Sequence, residues 1–191
     1  MRHPVLLLTL FLITGCAKPV ITELDKQLLL TADDLVAIGC KSTKASDLVY
    51  ESSGLEYLSK EVSVKYNGIE KCGFYLHIEI TELKIGAMGG NSERNSLGGA
   101  IIGLKFADVE TKAPDKLHAG LKGRYLEAYG EDKDYRGFVY ASEQGELSIL
   151  AFVFGIAKKH QPILLDLVKS VEVRNYNKKK TETNKTKKQK S

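Results

Sequence analysis

The chain has 191 residues, 43% hydrophobic and 27% charged, the make-up of a globular protein long enough to bury a core without metals or many disulfides. Its net charge of +4 is unevenly placed: Asn177 to Ser191 hold seven lysines (178, 179, 180, 185, 187, 188 and 190) against Glu182 alone, whereas residues 17–176 hold 20 bases and 23 acids. The body is mildly acidic and the basic character is a tail, so the high pI gives no basis for nucleic-acid binding and no nucleic-acid partner is expected.

Met1-Arg2-His3 is a short positive start, followed by Val5 to Ile13 (VLLLTLFLI), apolar apart from Thr9, and then by Ile13-Thr14-Gly15-Cys16. About ten apolar residues at 1.5 Å rise span about 15 Å, half a hydrocarbon core, which is too short for a membrane span. The order of charge, apolar run and small residues fits an export signal. Ile13-Thr14-Gly15-Cys16 resembles the lipobox of bacterial lipoproteins. The resemblance implies a lipid on the Cys16 sulfur, cleavage between Gly15 and Cys16, and an extracytoplasmic protein held to a membrane. Ala17, where Asp would favour inner-membrane retention, implies an outer membrane, facing the periplasm, if the cell has two membranes. The expected organisation is a signal peptide (1–15), a lipidated N-terminus and spacer (16–27), one globular domain (28–176) and a disordered Lys-rich tail (177–191).

Within the domain, Leu28 to Gly39 predicts a short helix, with Thr31 and Asp34 spaced as a capping box and the acidic pair Asp33-Asp34 answering the helix dipole. Cys40 and Cys72 remain after lipidation. An even pair in an oxidising compartment predicts a Cys40–Cys72 disulfide, with two buried free thiols as the alternative. Tyr57 to Tyr66 and Phe74 to Leu83 alternate as strands, joined near Asn67-Gly68. Phe74, Leu76, Ile78 and Ile80 are expected in the core, with Tyr75, His77, Glu79 and Thr81 on a wet face. Gly86 to Gly99 reads as a Gly-rich loop, and Ala100 to Val109 as a strand, with a helix as the alternative. Leu121 to Tyr129 is another strand. Phe138 to Ala141 and Leu147 to Phe154 form a hairpin, and the nearly continuous apolarity of the second places it centrally in the sheet. Pro162 starts a helix whose Leu164, Leu167, Val168 and Val171 make one apolar stripe, with Asp166 and Lys169 facing water. The fold class is α+β: a single domain with a central antiparallel sheet and a packed C-terminal helix.

The stretch Gly137 to Val173, a hairpin with a central apolar strand and then a Pro-initiated helix ending Val168-Lys-Ser-Val-Glu-Val173, resembles the C-terminal half of PsbP-like domains. The resemblance implies a binding or assembly factor and carries over no catalytic residue.

Three classes of chemistry are weak here. His77, His118 and His160 are isolated, without metal-ligand spacing, although His77 and Glu79 share a strand face. Gly98 and Gly103 have phosphate-loop spacing but are followed by Leu104-Lys105, so the lysine and the hydroxyl are misplaced. No serine-nucleophile motif occurs. Glu79 with Glu82, or Glu143 with Glu146, are the candidate carboxylate pairs for an envelope hydrolase acting on glycan or lipid. The expectation is a non-enzymatic, cofactor-free binding or envelope-assembly lipoprotein, with that hydrolase and a small-ligand binder as alternatives. Its partners are the membrane, through Cys16, and an anionic envelope polymer or lipid, through the tail lysines; a protein partner is not identified.

Overall fold

Residues 19–53, 59–83, 92–105 and 108–190 are described by a computed structural model, and the signal segment with Gly15 and Cys16 lies outside them. Seven strands form one sheet: β1 (Leu48–Ser53), β2 (Ser59–Gly68), β3 (Phe74–Leu83), β4 (Glu110–Lys112), β5 (Arg124–Tyr129), β6 (Tyr135–Gln144) and β7 (Leu147–Phe154). Their order is β1-β2-β3-β7-β6-β5-β4, with every neighbouring pair antiparallel. This is the expected α+β domain, and β7 lies at its centre.

The two-residue period of β3 divides its side chains between two faces as predicted, but the face expected to be wet is partly covered by α4 and Phe152. Phe74, Leu76, Ile78 and Ile80 are at most 5% exposed, and Tyr75, His77, Glu79 and Thr81 are half-buried. On the first face lie α1 (Glu23–Leu29), α2 (Ala32–Ala37) and α5 (Gln161–Lys190). Leu164, Leu167, Val168 and Val171 of α5 are all buried there against Tyr66, Ile78, Phe138, Tyr140 and Ile149. On the second face α4 (Ser92–Lys105) sets Leu97, Ala100 and Leu104 against Val139, Ala141, Leu150 and Phe152. Leu147, Ile149, Ala151 and Val153 thus enter the main core while Leu150, Phe152 and Phe154 meet the α4 layer, so β7 is apolar on both sides because both sides are covered.

Four expectations change. Residues 92–105 are helix rather than loop and strand: Leu97, Ala100, Ile101 and Leu104 stand at i, i+3, i+4 and i+7, and this stripe overrides the low helix propensity of Gly98, Gly99 and Gly103. Residues 86–91 and 106–107 lie outside the described residues. Leu28 to Gly39 is the end of α1 and all of α2, with a break at Leu30-Thr31. The spacer expected at 16–27 is ordered from Pro19: Thr22 and Asp25 form a second capping box, and Ser52 Oγ donates to the buried Pro19 carbonyl at 2.5 Å. The tail expected to be disordered continues α5 to Lys190. Its first turns are held to the body by Lys179, which pairs with Glu82 at 2.7 Å and Glu146 at 3.0 Å, and Lys178–Glu182 at i,i+4 supports the helix itself.

The turn at Asn67-Gly68 is made differently from a two-residue hairpin. Both residues belong to β2, and the reversal is the single-turn α3 (Ile69–Cys72), closed by Gly73 at φ +80°. At the sheet centre Gly137 has φ +152°, and a Cβ there would stand 1.8 Å from the Val153 carbonyl oxygen, so only glycine lets β6 lie this close to β7.

Candidate functional site

The register gives the molecule two ends. At one, β3 begins and β7 finishes, with Tyr75 opposite Phe154. At the other, Glu82 stands opposite both Lys60 and Leu147. α5 starts at the first end and runs to the second.

At the first end a groove of about 460 Å³ opens between the start of α5 and the turn that follows β2. Four separate stretches build it. Ile38 and Cys40 come from the exit of α2, Cys72 and Phe74 from the α3 turn, Ile156 and His160 from the β7–α5 connection, and Ile163 and Leu164 from the first turns of α5. The disulfide fixes two of these stretches: Cys40 and Cys72 are bonded, with Cα atoms 5.5 Å apart and a sequence separation of 32. Beneath it Tyr66 Oη lies 3.0 Å from Thr43 Oγ1 and 3.3 Å from Cys72 Sγ. Phe74, Ile156 and Leu164 floor the groove and are buried, whereas Ile163 on its lip is 51% exposed and His160 is open to solvent. An apolar floor, one exposed apolar side chain and one imidazole suit an apolar group better than a charged one.

The second end is polar. Asp25 accepts two bonds from Lys60 Nζ, each at 2.7 Å, and caps α1 through the Thr22 N–H. Burial alone would raise its carboxyl pKa, but the Lys60 and Thr22 hydrogen bonds outweigh it and hold it below the ordinary value. Glu82 behaves likewise: burial is overcome by the hydrogen bond and charge of Lys179. Beyond Lys179 the helix continues for eleven residues, about 16 Å at 1.5 Å per residue. Lys180 and Lys185 on it are exposed.

The candidate acid pairs do not converge. Glu79 and Glu82 project from opposite faces of β3, Glu79 toward the α4 side and Glu82 to Lys179. Glu143 alternates onto the face of Val139 and Ala141, while Glu146, in the β6–β7 turn, joins Lys179. Glu79 is raised by burial and by the neighbouring Glu61, and His77 is lowered by burial and by Lys65. The two share a face as expected, with His77 stacked on Phe152 at 5.9 Å. Among the described residues, no group of three or more His, Cys, Asp or Glu side chains is placed to hold a metal ion. Gly98 and Gly103 lie inside α4, which removes the phosphate-loop arrangement. His118 pairs with Asp166 at 2.8 Å, and Lys169 Nζ donates to the Ala119 carbonyl, so the water-facing side of α5 is tied to the 118–119 segment.

The sequence reading missed two sets of residues. The groove draws on four distant segments, and the two cysteines were the only signal that could join any of them. Glu172 is fully buried and accepts from Tyr140 Oη and, at 3.0 Å, from the Lys122 N–H, while Tyr140 Oη accepts from the Gly123 N–H at 3.0 Å. Its position one residue after Val171 of the apolar stripe was the available sign. No helix among the described residues is long and apolar enough to cross a membrane. No protein-family model matches the chain, and comparisons with curated proteins and with solved structures find no significant match.

Proposed function

We propose that this is an exported, lipid-anchored binding protein of the bacterial cell envelope, held at a membrane through Cys16 and taking an apolar partner group in the groove beside Cys40–Cys72. The observation that carries the reading is the disulfide. Such bonds persist in oxidising compartments, and residues 1–16 supply a route there. The hydrolase alternative is disfavoured because neither candidate pair converges, and the two acids that do meet, Glu82 and Glu146, are both engaged by the ammonium of Lys179. A non-enzymatic role in binding or envelope assembly is the reading that accords with an ordered apolar groove and dispersed acids. The groove volume, about 460 Å³, also falls in the range of small-molecule sites, so a small apolar ligand is the second reading.

Metabolic labelling with a fatty-acid probe tests the anchor. Label is expected on the wild-type protein and its loss on Cys16→Ser; an unlabelled wild type removes the proposal. In the same cells a photo-crosslinking residue at Ile163 is expected to give a discrete protein adduct. Its absence, with a small apolar molecule retained in native mass spectrometry, selects the second reading.

A further inference from the structure

Three independent features meet at the end of the molecule opposite the groove. The first is the length of the tether. Pro19 is buried and its carbonyl is held by Ser52 Oγ, so only three peptide steps, about 11 Å at full stretch, separate the docked chain from Cys16. The second is the lysine extension. Lys179 is clamped by Glu82 and Glu146, at the end of the sheet where Ser52 and Lys60 also lie, and α5 projects past that clamp to Lys190. From Lys180 onward the sequence holds five lysines and Glu182, which Lys178 already engages, and it has no apolar residue. The third is an apolar exposure on the anchoring segment itself, where Val20 is 79% and Leu24 52% exposed.

We propose that this end docks on the bilayer, with the Lys180–Lys190 extension of α5 lying on anionic phospholipid headgroups and Val20 and Leu24 entering the interface beside the lipid. This rests on the lipid-anchored reading above. A helix without apolar side chains cannot insert, so its contact is electrostatic and peripheral. The lipid supplies permanence, and the lysines supply orientation. A tether this short holds the end of the sheet that carries them beside the membrane, and salt weakens the attraction that turns them toward it. The groove, at the far end of α5, then faces away from the membrane.

The test uses the full-length protein extracted from membranes and reconstituted in vesicles of phosphatidylcholine alone or with roughly a third phosphatidylglycerol, pulsed with an amine-acylating reagent and read by mass spectrometry. Lys180 and Lys185 are expected to lose about fivefold in reactivity in the anionic vesicles, the shift of one headgroup contact per lysine, and to regain it at high salt. Lys41 and Lys159, exposed at the groove end, are the reference and stay constant. Equal reactivity of Lys180 and Lys185 in both vesicles, on protein whose Cys16 peptide carries lipid, overturns the docking and leaves the anchor standing. Protection of Lys41 and Lys159 instead overturns it by showing the opposite end down. A Cys16 peptide without lipid removes the anchor and this proposal with it.

Discussion

A buried tyrosine shows how one side chain joins three segments. Tyr140, on the strand beside the central one, is fully buried, and its hydroxyl donates to Glu172 of α5 while accepting from the Gly123 N–H. Burial, reinforced by the bond to Glu172, raises its pKa above that of an ordinary phenol, which favours the protonated, donating form. Removing the hydroxyl leaves the Gly123 amide without that partner and the Glu172 carboxyl group with only the Lys122 N–H. An unsatisfied buried polar group costs about 1–3 kcal/mol. Tyr140→Phe is therefore expected to lower the unfolding free energy by that amount, seen as a lower urea midpoint with an unchanged m-value, since the packing of the ring is retained. An unshifted midpoint would show that water replaces the hydroxyl. The pairing was not legible from the sequence: Glu172 beside the apolar stripe hinted at burial, but nothing joined it to Tyr140, 32 residues away.

Elements were legible wherever one period ran cleanly. β3, β7 and the start of α5 follow from Phe74–Leu83, Leu147–Phe154 and Pro162 because the physics that sets each is local: alternation, continuous apolarity, or a fixed φ at a first turn. α4 was misread because its glycines signal loop while its stripe, Leu97 to Leu104, signals helix, and burial against Val139 and Ala141 decides between them. The continuation of α5 was misread because Lys, Thr and Asn do not fold alone; Glu82 and Glu146, far away in sequence, hold its first turns. The groove depends on such non-local joining too, and its cross-link gives it a test. The Cys40–Cys72 bond closes a loop of 32 residues containing β1 and β2, and in the chain-entropy picture that stabilises by roughly 3–4 kcal/mol. A double Cys40→Ser, Cys72→Ser variant is expected to lose about this much in urea denaturation, with its earliest loss of protease resistance in residues 38–47. A variant as stable as the wild type would mean that the groove walls hold each other without the bond.

For the whole molecule, the N-terminal segment is a strap rather than a spacer. Asp25 fastens α1 to Lys60 of β2, and Asp34 fastens α2 to Arg174 of α5, with Arg174 also donating to the Leu29 carbonyl and Asn175 to that of Leu28. Burial acts to raise both carboxyl pKa values, yet hydrogen bonds from the cationic partner and from the capping threonine outweigh it, leaving each below 3.8. A depressed folded-state pKa contributes stability that is present above the unfolded value and disappears as pH falls through the folded value. Glu79 works in the opposite sense: its raised pKa favours the fold at low pH and costs stability at neutral pH. It lies on the other face of the sheet, so it does not hold the strap. The strap is therefore expected to be indifferent to pH from neutrality to about pH 4 and to loosen below it. Because Glu79 and the half-buried His77 also titrate above that point, the strap is read from the difference in thermal midpoint between the wild type and Asp34→Asn, which should stay constant from neutrality to about pH 4 and shrink below it. Asp34→Asn should start lower at pH 7 and fall less steeply below pH 4, because one of the two titrating fasteners is gone. If both proteins lose stability with the same slope, Asp34 does not hold the strap, and the docked segment on which the membrane-facing orientation depends is secured by Asp25, Ser52 and the Arg174 and Asn175 bonds to the Leu29 and Leu28 carbonyls.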